Sequence, residues 1–107
     1  MGFVEATQGT PQTDSGALSG KMYHIAVMAW FRSTGDPIPM SFKFQDDSGQ
    51  IQSVKEIDVR YSEDRNYSGI PSKEYGCEAI IGGMIRDFKL IFYTEACKWV
   101  MVIPGVS

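Results

Sequence analysis

Residues 88–103 read FKLIFYTEACKWVMVI, and this stretch decides the fold because it carries two complete sets of apolar side chains. In its first half, two phenylalanines and a leucine alternate with a lysine, an isoleucine and a tyrosine. After a short turn of sequence TEA, residues 98–103 alternate in the same way, and both alternating sets are again largely apolar. A period of two predicts β-strands, and a strand with one solvated face should be polar at every second position. We therefore expect both faces of these strands to be covered.

The rest of the chain from Met22 repeats this pattern of strand and turn signals. The other predicted strands are MYHIAVMAWFR, PMSFKFQ, QIQSVKEIDVRY and KEYGCEAII. STGDP, DDSG and Gly82-Gly83 predict tight turns, and the polar stretch at residues 62–72, SEDRNYSGIPS, predicts the longest internal loop. No window of ten or more residues favours a helical period. We predict an all-β domain, a single small antiparallel meander of five or six strands forming a curved sheet or a small (SH3-like) barrel.

The alternation of apolar residues in two of the predicted strands indicates which side chains enter the core. In PMSFKFQ, the alternation places Met40, Phe42 and Phe44 inward. In QIQSVKEIDVRY, Val54 is out of phase with the other apolar residues, which predicts a bulge near residues 53–56.

Residues 1–21 differ in composition from the rest and predict a flexible leader before a domain at 22–107. The 107 residues contain no apolar run of 18 or more and no secretory leader, so we expect a cytoplasmic protein with no membrane contact. The net charge of −3, from 10 basic and 13 acidic residues, disfavours a general affinity for nucleic acid.

No spacing in the sequence predicts catalysis, a metal site or a cofactor. His24, the only histidine, is expected to be a partly buried structural residue. Asp46 and Asp47 in DDSG lack the further oxygen ligands of a calcium loop and are expected in a solvated turn. Cys77 and Cys97 have no zinc-site spacing and are expected to be buried free thiols.

The apolar second face predicts a contact surface. Trp30, Tyr93 and Val100 lie on the face opposite the main core set, and no helix is predicted to shield it. Either the curvature of the sheet covers this face or a partner does, because a large exposed apolar patch is unusual for a monomer.

A second candidate surface is the stretch from Arg60 to Tyr67, where basic and aromatic residues interleave. This mixture suits stacking and phosphate contact in proteins that bind single-stranded nucleic acid. Glu63 and Asp64 weaken the local positive charge, so a protein contact or a plain solvated loop remains open. Together the two surfaces give the candidate binding residues Trp30, Arg60, Tyr61, Arg65, Tyr67, Tyr93 and Val100.

From these features we expect a non-enzymatic protein-interaction module that binds a protein partner or a second copy through its sheet face or edge. The alternative is a small-barrel nucleic-acid-binding protein that uses residues 60–67.

Across Ile25 to Ile103, the segments HIAVMAWF, PIPMSFKF, EYGCEAII and FKLIFYTEACKWVMV resemble a family of small uncharacterised proteins of Gram-positive bacteria and their mobile elements. This resemblance implies an all-β fold and no assigned activity.

Overall fold

The computed structural model describes residues 20–104, and this range is built from β-strands, turns and short connecting segments. Its strands are β1 Lys21–Phe31, β2 Pro37–Gln45, β3 Ile51–Val54, β4 Asp58–Tyr67, β5 Ile70–Ile81, β6 Met84–Tyr93 and β7 Lys98–Ile103. Residues 1–19 of the predicted leader lie outside the described residues, and Lys21, its last residue, opens β1.

The seven strands form one antiparallel sheet with the order β3-β2-β1-β7-β6-β5-β4. Two meanders, β1–β3 and β4–β7, are joined where Lys21 to His24 of β1 pair with β7. The edges β3 and β4 do not pair with each other, so the sheet is not closed. The prediction of an all-β antiparallel domain is confirmed, whereas the prediction of five or six strands is wrong.

The additional strand comes from QIQSVKEIDVRY, which was expected to form one strand with a bulge. The structure ends β3 at Val54 and begins β4 at Asp58, and the two strands lie at opposite edges of the sheet. Four Cα–Cα steps span at most about 14 Å. The sheet must therefore curl until its two edges approach each other at this corner, and β3 also lies near β5 across the curved sheet.

Residues 62–72 form a hairpin and not the loop that their polarity predicted. β4 continues to Tyr67 and β5 begins at Ile70, with Ser68 and Gly69 between them at φ values of 56° and 85°. These left-handed values are those of the tight turns that join antiparallel strands. The charged residues of β4 suit its place at the sheet edge, where they prevent pairing with other chains. The predicted Gly82-Gly83 turn is confirmed, with φ values of 61° and 81°.

A bulge in β2 changes the face on which its residues lie. Met28 of β1 pairs with Ser41, but the next residue, Ala29, pairs with Pro39, so Met40 is an extra residue in β2. The two phenylalanines of β2 are buried as predicted. Met40 was predicted to point inward and is 51% exposed, because the bulge shifts the alternation at this residue.

The main core lies on one side of the curled sheet, which we call the inner face; the other side is the outer face. Tyr23, Ile25 and Val27 of β1 and Val59 of β4 pack around its margin. Its buried residues are Phe42, Phe44, Val54, Tyr75, Cys77, Ala79, Phe88, Leu90, Phe92, Met101 and Ile103.

Candidate functional site

Val100 and Tyr93 belong to a small apolar cluster on the outer face. Tyr67, Ile91, Val100 and Val102 are buried there, and Tyr93 packs against them. Ile91 and Val102 have no exposed surface in the single chain, and Val100 is 2% exposed. Ile91, Val100 and Val102 belong to the second apolar set of residues 88–103, and the chain itself covers them. Val100 and Tyr67, both predicted as contact residues, are therefore not accessible to a partner.

Glu74 lies beside this outer cluster and is completely buried. The Tyr61 hydroxyl donates a hydrogen bond of 2.8 Å to Glu74 Oε2, and the Tyr67 hydroxyl donates one to Oε1. Arg65 Nε lies 3.6 Å from Oε1, and Lys89 Nζ lies 3.9 Å from Oε2. Two hydroxyl donors and two cations thus surround the carboxylate, as a buried charge requires.

Sequence reasoning missed Glu74, although one signal was available. Glu74 pairs across the strands with Ile91, so it falls on the outer face among apolar neighbours. A carboxylate at such a position needs hydrogen-bond donors, and the spacing of Tyr61, Arg65 and Tyr67 along alternate positions of β4 supplies them on the same face.

The ring of Tyr61 lies across Gly76 to reach Glu74. A Cβ atom placed on Gly76 would lie 1.9 Å from Tyr61 Cε2, so only glycine leaves room for the ring. Burial and the hydrogen bond to Glu74 raise the pKa of Tyr61 to about 12. The hydroxyl therefore stays protonated and donates its proton throughout the neutral range.

The arginines of residues 60–67 are engaged by carboxylates of the same chain. Arg60 occupies a second bulge, in β4, and binds Asp58 at 2.9 Å and also Glu78. Arg65 binds Glu63 at 2.9 Å in addition to its contact with the buried carboxylate. The structure therefore brings Tyr61, Arg65 and Tyr67 together around a buried charge and not along an open basic surface.

Trp30 lies apart from the other predicted contact residues, in an exposed apolar surface on β1 and β2. Met28 and Trp30 alternate along the outer face of β1, and each is 68% exposed. Met40, the extra residue of the β2 bulge, precedes Ser41, which pairs with Met28, and Met40 is 51% exposed. We call Met28, Trp30 and Met40 the outer patch. Of these, the sequence predicted Trp30 as a second-face residue but placed Met40 in the core.

A shallow groove runs beside the outer patch. Met28 and Met40 line it, together with Ser41, Lys43 and Lys55. Both lysines are exposed.

A further set of exposed apolar residues lies at the tip of the β5–β6 hairpin. Ile80, Met84 and Ile85 are 65%, 60% and 70% exposed. The groove beside this tip also contains the carboxylates of Glu56, Asp58 and Glu78.

The groups that could support chemistry are dispersed. Among residues 20–104 no three His, Cys, Asp or Glu side chains are grouped so as to hold a metal ion. His24 is exposed and not partly buried as predicted. Both cysteines are free thiols, but Cys97 is exposed, so the prediction of two buried thiols is correct for Cys77 alone. Burial raises the pKa of Cys77 to about 12, which makes it unreactive.

The Asp46 carboxylate organises the turn between β2 and β3. Its Oδ1 accepts hydrogen bonds from the backbone N–H groups of Ser48 and Gln50 and from the Ser48 hydroxyl. Its Oδ2 accepts one from Gln52 Nε2 at 2.8 Å. The two oxygens are thus used within the turn.

Comparison with protein-family models, curated proteins and solved structures found no match for this chain. The resemblance to small Gram-positive bacterial proteins therefore stays a prediction. Within the described part of the chain, no helix is long and apolar enough to cross a membrane.

Proposed function

We propose that this protein is a non-enzymatic interaction module that binds another polypeptide through the outer patch. The observation that supports this function is the arrangement of Met28, Trp30 and Met40. These three large apolar side chains lie together on one face, and each keeps at least half of its surface exposed. Tryptophan and methionine are enriched at protein interfaces, and tryptophan is prominent among the residues that dominate binding energy.

The exposed area is large enough to contribute useful binding energy. Complete burial of one large apolar side chain is worth about 1.5–3 kcal/mol. Covering the exposed fractions of Met28, Trp30 and Met40 would therefore contribute roughly 3–6 kcal/mol before the cost of association is subtracted. Methionine side chains adapt to the shape of the partner, which suits a surface that forms part of a groove.

A short segment of another polypeptide fits this surface better than a second copy of the chain does. Stable protein–protein interfaces bury about 1,200–2,000 Å² in total, which is more than the exposed surface of three side chains provides. Nucleic acid is disfavoured because Arg60 and Arg65 already bind carboxylates and Tyr67 is buried.

A peptide-display selection tests this function. The immobilised protein is the wild type, and two variants serve for comparison. Trp30→Ser removes the largest side chain of the outer patch, and Ile85→Ser removes an equally exposed apolar side chain at the tip of the β5–β6 hairpin. Selected peptides are then titrated against all three proteins, and their contact site is mapped from the methyl NMR signals of Met28 and Met40.

We expect the selected peptides to bind the wild type and Ile85→Ser equally and to bind Trp30→Ser at least tenfold more weakly. Truncation of a dominant interface tryptophan costs about 2 kcal/mol or more of binding free energy, which corresponds to more than a tenfold loss of affinity. Peptides that bind Trp30→Ser as well as the wild type, or that shift neither methionine methyl signal, would show that the outer patch is not the binding surface.

A further inference from the structure

We infer that the segment bound at the outer patch is acidic, with apolar residues on the methionines and carboxylates beside Lys43 and Lys55. This inference rests on the proposed function and names the chemistry of its partner. Both lysines line the same groove as Met28 and Met40, so positive charge and apolar surface lie side by side.

The charges of the groove are all of one sign. Lys43 and Lys55 are its charged residues, and no carboxylate lines it. The groove at the β5–β6 tip differs, because it contains three carboxylates beside Lys55. A basic groove with an apolar margin is complementary to an acidic segment that also carries apolar residues.

The two lysines also differ from most other basic residues of the described chain. Lys21 binds Asp47 at 3.2 Å and Lys73 binds Asp64 at 2.8 Å. Within residues 20–104, by contrast, neither Lys43 nor Lys55 forms an ion pair. Their ammonium groups are therefore available to a partner without breaking an existing pair. The hydroxyls of Ser41 and Ser53 line the same groove and add hydrogen-bond donors for carboxylates.

The net charge of −3 does not prevent the binding of a short acidic segment. At physiological salt the Debye length is about 8 Å, so distant carboxylates are largely screened while the two lysines act at contact distance. A long polyanion such as single-stranded nucleic acid would extend beyond these lysines and meet the acidic remainder of the surface. The arrangement thus favours a short acidic polypeptide.

Fluorescence anisotropy with designed peptides tests the inference. The probe is a fluorescein-labelled peptide of sequence EELELEE. Matched peptides replace either its charges (KKLKLKK) or its leucines (EESESEE), and labelled oligodeoxythymidine represents nucleic acid. The wild type is compared with the double variant Lys43→Glu/Lys55→Glu and with Lys98→Glu. Lys98 is the control because it is exposed and forms no ion pair within residues 20–104, but does not line the groove.

We expect EELELEE to bind the wild type more tightly than both matched peptides. Binding should fall at least tenfold in the double variant, should change less than twofold in Lys98→Glu, and should weaken as salt is raised. Circular dichroism confirms that the variants are folded, and the salt dependence of the wild type tests the charge contribution without any substitution.

Three results would overturn the inference. KKLKLKK could shift the methyl NMR signals of Met28 and Met40 as strongly as EELELEE, the double variant could keep full affinity for EELELEE, or EELELEE could show no binding at millimolar concentration. Any of these leaves the proposed function intact if display-selected peptides still require Trp30. Binding of oligodeoxythymidine that is lost in the double variant would assign the lysines to nucleic acid instead.

Discussion

The substitution Gly76→Ala should destabilise this protein, although the same change usually stabilises a strand. Glycine in the middle of a strand costs roughly 0.5–1 kcal/mol relative to alanine because it loses more conformational freedom on folding. Gly76 lies inside β5 without a left-handed φ, so its backbone gives alanine no strain. The obstacle is the side chain of Tyr61, because the new Cβ would lie 1.9 Å from its ring.

The size of the effect follows from the hydrogen bond that Tyr61 loses when its ring moves. To avoid the Cβ, Tyr61 has to swing away from β5 and lose its 2.8 Å hydrogen bond to Glu74. A hydrogen bond to a charged group contributes about 1.5–3 kcal/mol. Glu74 keeps Tyr67 as a donor, which places the loss near the lower end of this range. After the entropic gain of about 0.5–1 kcal/mol is subtracted, Gly76→Ala should lower the free energy of unfolding by about 1 kcal/mol.

Urea denaturation followed by circular dichroism measures this change, and a double-mutant cycle isolates its cause. In Tyr61→Ala the ring is absent, so adding Gly76→Ala should stabilise the protein by about 0.5–1 kcal/mol. The two positions should therefore be coupled by roughly 2 kcal/mol. If Gly76→Ala stabilised the wild type as much as it stabilised Tyr61→Ala, the contact between the ring and Gly76 would not constrain the fold and the reasoning would be refuted.

Three further predictions concern single groups. With a thiol reagent at pH 8, Cys97 should react quickly while the buried Cys77, whose pKa is raised to about 12, reacts only after unfolding; two fast thiols would contradict this. Hydrogen bonds from Ser48 and Gln52 lower the pKa of Asp46 from 3.8 to about 2. The stabilisation from its carboxylate should be present above pH 4 and lost as the pH falls towards 2, and Asp46→Asn should flatten this part of the stability profile. Val100→Lys should unfold the domain, because it buries a charge at a position that is 2% exposed, and a folded variant in size-exclusion chromatography and circular dichroism would contradict that burial.

Local patterns in the sequence predicted the parts of the fold that local chemistry controls. The period of two in residues 88–103 gives β6 and β7, and the glycine pair gives the tight turn between β5 and β6. The pairing of strands that are distant in the sequence is harder to predict from local patterns. Residues 50–61 keep strand character apart from the break of phase at Val54. That break marks an irregularity but does not distinguish a bulge from the end of one edge strand at Val54 and the start of the other at Asp58.

The polarity of residues 62–72 misled the prediction for a related reason. Polar residues indicate solvent contact, which is a property of loops and of edge strands alike. Only the pairing partner distinguishes the two, and here β4 pairs with β5 along its whole length apart from one bulge. The buried carboxylate of Glu74 depends on that pairing, because Tyr61, Arg65 and Tyr67 surround it only when residues 61–67 are extended.

The candidate site depends on one local irregularity that the predicted regular alternation of PMSFKFQ did not include, although two prolines mark its place in the sequence. Proline donates no hydrogen bond and is confined within sheets to edges, strand starts and bulges. Pro37 begins β2, and Pro39 stands where the register shifts, so the run PIP marks the place where regular pairing fails. Beyond that point the strand is regular again and Lys43 faces outward. The bulge thereby moves Met40 out of the core and into the groove that Lys43 also lines, which joins an apolar surface to a positive charge.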